Sequence, residues 1–198
     1  MIKTIANNTI AELEVKKSKF ITNIIKIKNE EEARKKINEI RKKYSNAHHN
    51  CYAYIVYDNE TKMIIEKSSD DKEPSGTAGI PILTVIQKNN LVNVLIIVTR
   101  YFGGILLGTG GLVKAYTDST KNALEESEIV ELIYGDILEY ELKYNEFEYF
   151  KYICEKNNLN ILEITYSEII KAKVKIEKEN EQYLEKYKSR ILTKNVAL

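Results

Sequence analysis

Seven of the chain's eight glycines and both of its prolines fall within residues 73–116, EPSGTAGIPILTVIQKNNLVNVLIIVTRYFGGILLGTGGLVKAY. Glycine reaches backbone angles and approach distances closed to other residues, so the unusual turns of this fold are confined to that stretch. Residues 93–99, NVLIIVT, form a short run rich in Val and Ile, which predicts a central strand buried on both faces. Arg100, Tyr101 and Phe102 follow, then Gly103, Gly104, Gly108, Gly110 and Gly111. Beyond them Leu112, Val113, Tyr116, Thr120 and Leu124 recur near helical spacing and predict an amphipathic helix over residues 112–126. A strand, a glycine loop and a helix start leave backbone N–H groups and the positive end of a helix dipole available to phosphate or carboxylate.

The first half of the stretch predicts a second junction of this kind. Ser75, Gly76 and Thr77 precede a helix over residues 80–88, with Pro81 in its first turn and Thr77 as N-cap. Two helix starts converging on one pocket rimmed by Glu73, Ser75, Thr77 and Arg100 would make an anion site, with Arg100 as a bidentate contact. Glycines also serve tight turns and close helix-to-sheet packing, and both readings stand at this point. The spacing matches neither GxxxxGK[ST] nor GxGxxG.

Elsewhere the chain reads as scaffold. Residues 12–28 predict two strands broken near residues 17–19. Residues 29–44 predict a helix capped by Asn29, with Glu30 to Glu32 in its first turn, Arg41 to Lys43 in its last, and Ala33, Ile37 and Ile40 inward. Residues 50–57 and 62–67 predict a hairpin turning at Asp58, Asn59 and Glu60. His48 and His49 precede the first of these strands, and His49 is a candidate acid or base or a loop-holding residue. Asp70, Asp71 and Glu73 lack the pattern of a cation loop and read as part of a solvated segment. Residues 129–134 predict a strand, and Gly135 marks a boundary between domains 1–135 and 136–198. The second predicts strand 137–144, helix 146–156, strands 160–167 and 169–177, helix 181–191 and a tail strand, the βαββαβ order of a ferredoxin-like domain.

Net charge is +1, with 19 basic and 17 acidic side chains in residues 1–135, so bulk charge does not mark a nucleic-acid module. Residues 16–43 nevertheless hold eleven basic and four acidic side chains, and Lys35, Lys36, Arg41 and Lys42 are candidates for an RNA surface. The chain's 26 lysines against 4 arginines also suit plain solvation of exposed faces. No apolar run reaches the ~20 residues of a membrane span, and the N-terminus lacks an apolar signal segment, so a cytoplasmic location is expected. Cys51 and Cys154 read as reduced thiols, and no metal or cofactor is expected.

Taken together, KKSKFI at residues 16–21, AHHNCYAY at 47–54, EPSGTAG at 73–79, TRYFGG at 99–104, LGTGGL at 107–112 and KAY at 114–116 closely resemble the signature of the YigZ/IMPACT family, over nearly the whole chain. His49 matches the family's AxHN pattern. Lys72 stands where the family usually has Gly, loosening any requirement for Gly there, and Lys114 stands where Arg usually precedes AY, keeping the charge but not the planar fork. The resemblance implies an α+β chain of two domains. The first is a mixed α/β sandwich similar to the second domain of a small-subunit ribosomal protein, to elongation factor G domain IV and to GHMP-type kinases; the C-terminal domain is similar to the last domain of elongation factor G.

Eukaryotic IMPACT proteins regulate translation initiation by binding a partner of a stress kinase, and carry an additional N-terminal domain not expected here. The resemblance therefore implies a non-catalytic translation-associated protein that contacts RNA, the ribosome or a ribosome-associated protein through its first domain. The alternative is an enzyme or sensor for a small phosphorylated or carboxylated metabolite in the glycine-rich pocket, with His49 or Glu73 carrying a proton; no recognisable nucleophile accompanies them.

Overall fold

The computed structural model describes residues 2–57, 63–132 and 134–197. The fold is α+β, and the chain divides into two compact units, Met1–Glu131 and Leu132–Leu198. No described helix is long and apolar enough to cross a membrane.

The first unit is a five-stranded antiparallel sheet covered by helices on both faces. Its order is β2 (Thr9–Val15), β3 (Ser18–Lys26), β6 (Val94–Tyr101), β4 (His49–Tyr57), β5 (Ile64–Ser69). β6 is central and buried from Val94 to Arg100, as the apolar run predicts. β2 turns into β3 through Lys16 and Lys17, both at positive φ (47° and 64°), which suits the twist of a two-residue hairpin turn. The turn expected between β4 and β5 lies outside the described residues.

Helix α1 (Glu30–Lys43) covers one face, burying Ala33, Ile37 and Ile40 against Leu95, Ile97, Tyr54 and Val56. Its cap is as expected, with Asn29 Oδ1 accepting from Glu32 N–H at 2.8 Å. Helices α2 (Gly79–Lys88) and α3 (Gly108–Glu125) lie on the other face. There the Thr22 and Ser119 hydroxyls meet at 2.7 Å, and Phe20 packs edge-on against Tyr116.

Three details of this unit differ from expectation. α3 begins at Gly108, four residues early, because its glycines belong to the helix itself. β1 (Lys3–Ile5), too short for a periodic signal, pairs with β7 (Ile129–Glu131), so the strand expected over 129–134 ends at Glu131. Thr77 does not cap α2: its hydroxyl donates to the Pro74 carbonyl at 2.7 Å, and the cap comes from Asp70.

In the second unit β8 (Tyr134–Leu142), α4 (Tyr144–Lys156), β9 (Asn160–Tyr166), β10 (Ile170–Glu177) and β11 (Lys188–Ala197) form an antiparallel sheet of order β11-β8-β10-β9. Strict alternation along β10 buries Ile170, Ala172, Val174 and Ile176 against Phe147, Phe150 and Cys154 of α4. The other sheet face carries cross-strand ion pairs, Lys173 with Glu163 and Lys188 with Glu141, each at 2.6 Å. The helix expected over 181–191 does not form. A 3-10 turn at Lys178–Tyr183 precedes buried Leu184 and Tyr187, and the rest pairs with the edge of β8. An open sheet edge satisfies every other backbone group of that segment, which outweighs its helical propensity.

Candidate functional site

β4 and β6 run antiparallel with His49 opposite Arg100, so the two side chains leave the sheet together at its end. Arg100 is 5% exposed. Its guanidinium lies 5.7 Å from the ring centroids of both Phe20 and Phe102, and Nη1 donates to Glu73 Oε1 at 2.7 Å. The same oxygen accepts from the Tyr116 hydroxyl at 2.8 Å, and His49 Nε2 stands 3.7 Å away. Burial, followed by neighbouring Cys51 and Glu73, pushes the Tyr116 phenol far above its ordinary pKa, so its hydroxyl remains a donor. Burial likewise pushes the Cys51 thiol up, and this cysteine is no nucleophile. Arg100 is thus the partner of a buried carboxylate, while its own Nε has no hydrogen-bond partner among the described residues.

The two histidines are held in different ways. His49 Nδ1 lies 2.9 Å from the Asp71 carbonyl oxygen, which can only accept, so Nδ1 carries a proton. His48 Nδ1 accepts from Phe102 N–H at 3.2 Å, which leaves the proton of that ring on Nε2.

The two helix starts also differ. Asp70 Oδ1 accepts from Ala78 N–H at 2.9 Å and Gly79 N–H at 2.8 Å, and its Oδ2 accepts from Gly76 N–H at 2.9 Å. Burial raises the Asp70 pKa, and the amides of Gly76, Gly79 and Ala78 more than offset this, holding the carboxyl below its ordinary value. The positive end of α2 is therefore already occupied by the chain's own carboxylate. No side chain caps α3, and among the described residues no carbonyl outside the helix accepts from its first turn. Its N–H groups are available.

Of the residues singled out in the sequence, His49, Glu73, Arg100 and Gly108 line one cavity of about 480 Å³, together with His48, Lys72, Phe102, Leu107 and Thr109. Gly110 and Gly111 lie in the first turn of α3 beside it. The others have different surroundings. Ser75 is exposed and lines none of this cavity, and Gly76 lines a separate groove along α2 and α3. The Tyr101 hydroxyl donates to Asn46 Oδ1 at 3.0 Å. Gly103 packs on the β2–β3 turn, where an added Cβ would meet the Lys17 carbonyl oxygen at 1.9 Å. Gly104 holds a turn at φ 85°.

Asp71 and Asp70 are not a solvated pair: Asp71 accepts from Asn50 N–H at 2.7 Å and from Arg41 at 2.9 Å. Among the described residues no group of three or more His, Cys, Asp or Glu is placed to hold a metal. The Arg41 ion pair brings the basic last turn of α1 to the segment that holds His49. Lys36 pairs with Glu39 at 2.8 Å, while Lys35 and Lys42 are exposed. His48, Phe102 and Thr109 also face the cavity, although no motif of the sequence singles them out as ligand-facing. Only the neighbouring arginine and glycines mark them locally.

Comparison with known proteins places this geometry in context. The Impact N-terminal domain family matches residues 16–124, the span from the β2–β3 turn to the last turn of α3. IMPACT family member YvyE of Bacillus subtilis is 37% identical over 166 residues, covering 84% of this chain and 75% of that protein. An IMPACT family member of Haemophilus influenzae is 38% identical over 155 residues, covering 77% and 74%. A crystal structure described as that of a hypothetical protein is 26% identical with a TM-score of 0.63, covering 97% of this chain and 96% of the other.

Proposed function

The chain belongs to the IMPACT family, and from that premise we propose that it is a non-catalytic, translation-associated protein whose first unit binds RNA at the cavity beside α3. The translation setting follows from the family resemblance. The RNA reading rests chiefly on one observation: the free first-turn amides of α3, the proton-bearing Nε2 of His48 and the Arg100 guanidinium surround one cavity. Donors of that kind, converging on a concave surface, favour an anion. The exposed lysines at the end of α1, joined to the same segment through Arg41 and Asp71, supply a track for further phosphates.

The second unit, whose strand order is that of a βαββαβ domain with its second helix reduced to a 3-10 turn, is read as a ferredoxin-like partner domain of the kind the resemblance implies. A small anionic metabolite is the competing ligand for the cavity, and the Cys51 thiol, pushed up by burial, supplies it no ionised nucleophile.

The test is fluorescence anisotropy with a labelled single-stranded RNA of about ten nucleotides, titrated across salt. Binding through several phosphates gives a log–log slope of about −0.7 per phosphate. Lys35→Glu and Lys42→Glu, which break no ion pair recorded among the described residues, weaken binding and flatten that slope. A flat salt response, or unchanged affinity in both variants, overturns the RNA reading.

A further inference from the structure

Resting on that reading, we propose that the cavity receives the phosphorylated end of an RNA chain, a nucleoside monophosphate unit, rather than a phosphate within the strand.

The cavity is lined by groups of two kinds. One side carries donors: the uncapped amides at the start of α3, Thr109, and the His48 ring whose proton is left on Nε2. A terminal phosphate presents three unesterified oxygens to such a set, whereas an internal phosphodiester presents two and must carry the chain onward through both ester oxygens. About 480 Å³ of concave space, with Glu73 and Arg100 among its walls, accommodates one ligand unit and suits a terminus better than a strand in passage.

Much of the remaining lining is apolar. Phe102 is 39% exposed, and Leu106 and Leu107 also face the cavity. A planar base stacked there would lie against an aromatic ring without a sequence-specific edge contact, as stacking platforms for single strands do. Phe102 is fixed from behind by Arg100, and its N–H is held by His48.

A second observation, separate from the helix start, points to a ligand. Arg100 is 5% exposed and lines the cavity, and its buried Nε lacks a partner among the described residues even though Nη1 is committed to Glu73. Unsatisfied buried donors are rare in finished structures. A bound anion gives the guanidinium a second neighbour of opposite charge. Glu73, itself held by the Tyr116 hydroxyl, fixes that guanidinium through Nη1. Lys72 in the lining, and the basic end of α1 tied by Arg41 to neighbouring Asp71, fit the next phosphates of a strand leading away.

The shared chemistry, a nucleoside monophosphate, has two sources: an RNA terminus and the free nucleotide. The experiment uses the full chain and one RNA sequence of about ten nucleotides in three forms, with a 5′-phosphate, a 3′-phosphate, or hydroxyls at both ends, each with AMP as competitor. The expected result is at least tenfold tighter binding of one phosphorylated form than of the hydroxyl form, an advantage that AMP abolishes. Thr109→Pro, which removes one first-turn amide that no carbonyl of the helix accepts, narrows that advantage.

Equal binding of all three forms overturns the end-recognition proposal and leaves the RNA reading standing. Binding of AMP alone, with no RNA bound, overturns both and identifies the free nucleotide as the ligand. Because the comparison of the three RNAs uses the unaltered chain, it stands even if Thr109→Pro does not fold.

Discussion

Arg100 Nη1 donates to Glu73 Oε1 at 2.7 Å, with the two side chains only 6% and 3% exposed. A pair this deep contributes little by replacement standards, yet removing one member leaves the other charged, buried and uncompensated. Glu73→Ala is therefore expected to lower the unfolding free energy of the first unit by about 3–5 kcal/mol, measured by urea denaturation. Arg100→Ala is expected to destabilise as well, so any binding defect in that variant must be read against its fold. A change below about 1 kcal/mol for Glu73→Ala would mean that water reaches the pair.

Asp70 caps α2 from the end of β5, accepting three amides. Its folded pKa lies below the ordinary carboxylate value of 3.8, so its contribution is fully present above that value and disappears as pH falls through the lower folded value. Asp70→Asn should cost about 1–2 kcal/mol at neutral pH, and the gap from the unaltered chain should close below about pH 4. Urea midpoints measured from pH 7 down to pH 3 check this. A gap that is constant with pH would show that ionisation of Asp70 is irrelevant to the cap.

Much of the scaffold was legible because its signals are local. Asn29, three glutamates and a basic last turn mark α1 within its own sequence, and the alternation of β10 marks its buried face. The candidate site was half legible. The glycine loop does open a helix start, and His49, Glu73, Arg100 and Gly108 do meet around one cavity. What could not be read was how the charges divide. Asp70 reaches α2 across nine residues to Gly79, outside any N-cap spacing, so nothing local reveals that one of the two anion sites is already filled. Arg100 reads as free until the register sets it opposite His49 and within reach of Glu73. Residues 181–191 were misread because an edge of β8 far away in sequence decides their conformation.

Lys72, which the family resemblance sets against a glycine, sits at φ 73° in the left-handed region. The loop therefore does ask for a glycine-like backbone, contrary to what a lysine there suggests, and the lysine carries strain of about 1–2 kcal/mol. Lys72→Gly relieves that strain at some cost in unfolded-state entropy, giving a net stabilisation of about 0.5–1 kcal/mol by denaturant titration. Since Lys72 also lines the cavity, the same variant should weaken RNA binding. A variant that is more stable and binds unchanged would remove Lys72 from the binding surface.

Gly103 and Gly110 lie seven residues apart and test the two roles of glycine against each other. At Gly103 a Cβ would meet the Lys17 carbonyl oxygen at 1.9 Å and its carbon at 2.0 Å, both backbone atoms that cannot rotate away. Gly103→Ala must therefore displace the β2–β3 turn, with an expected loss of about 3 kcal/mol or more. At Gly110 nothing lies within 4 Å of an added Cβ, and the residue is in a helix. Gly110→Ala should raise stability by about 0.5–1 kcal/mol, because alanine loses less backbone freedom on folding. If the stabilised Gly110→Ala chain also binds RNA less well, its extra methyl obstructs a ligand approaching the start of α3. If binding is unchanged, an added methyl at this position does not obstruct the ligand, and the absence of a side chain at Gly110 serves no binding role.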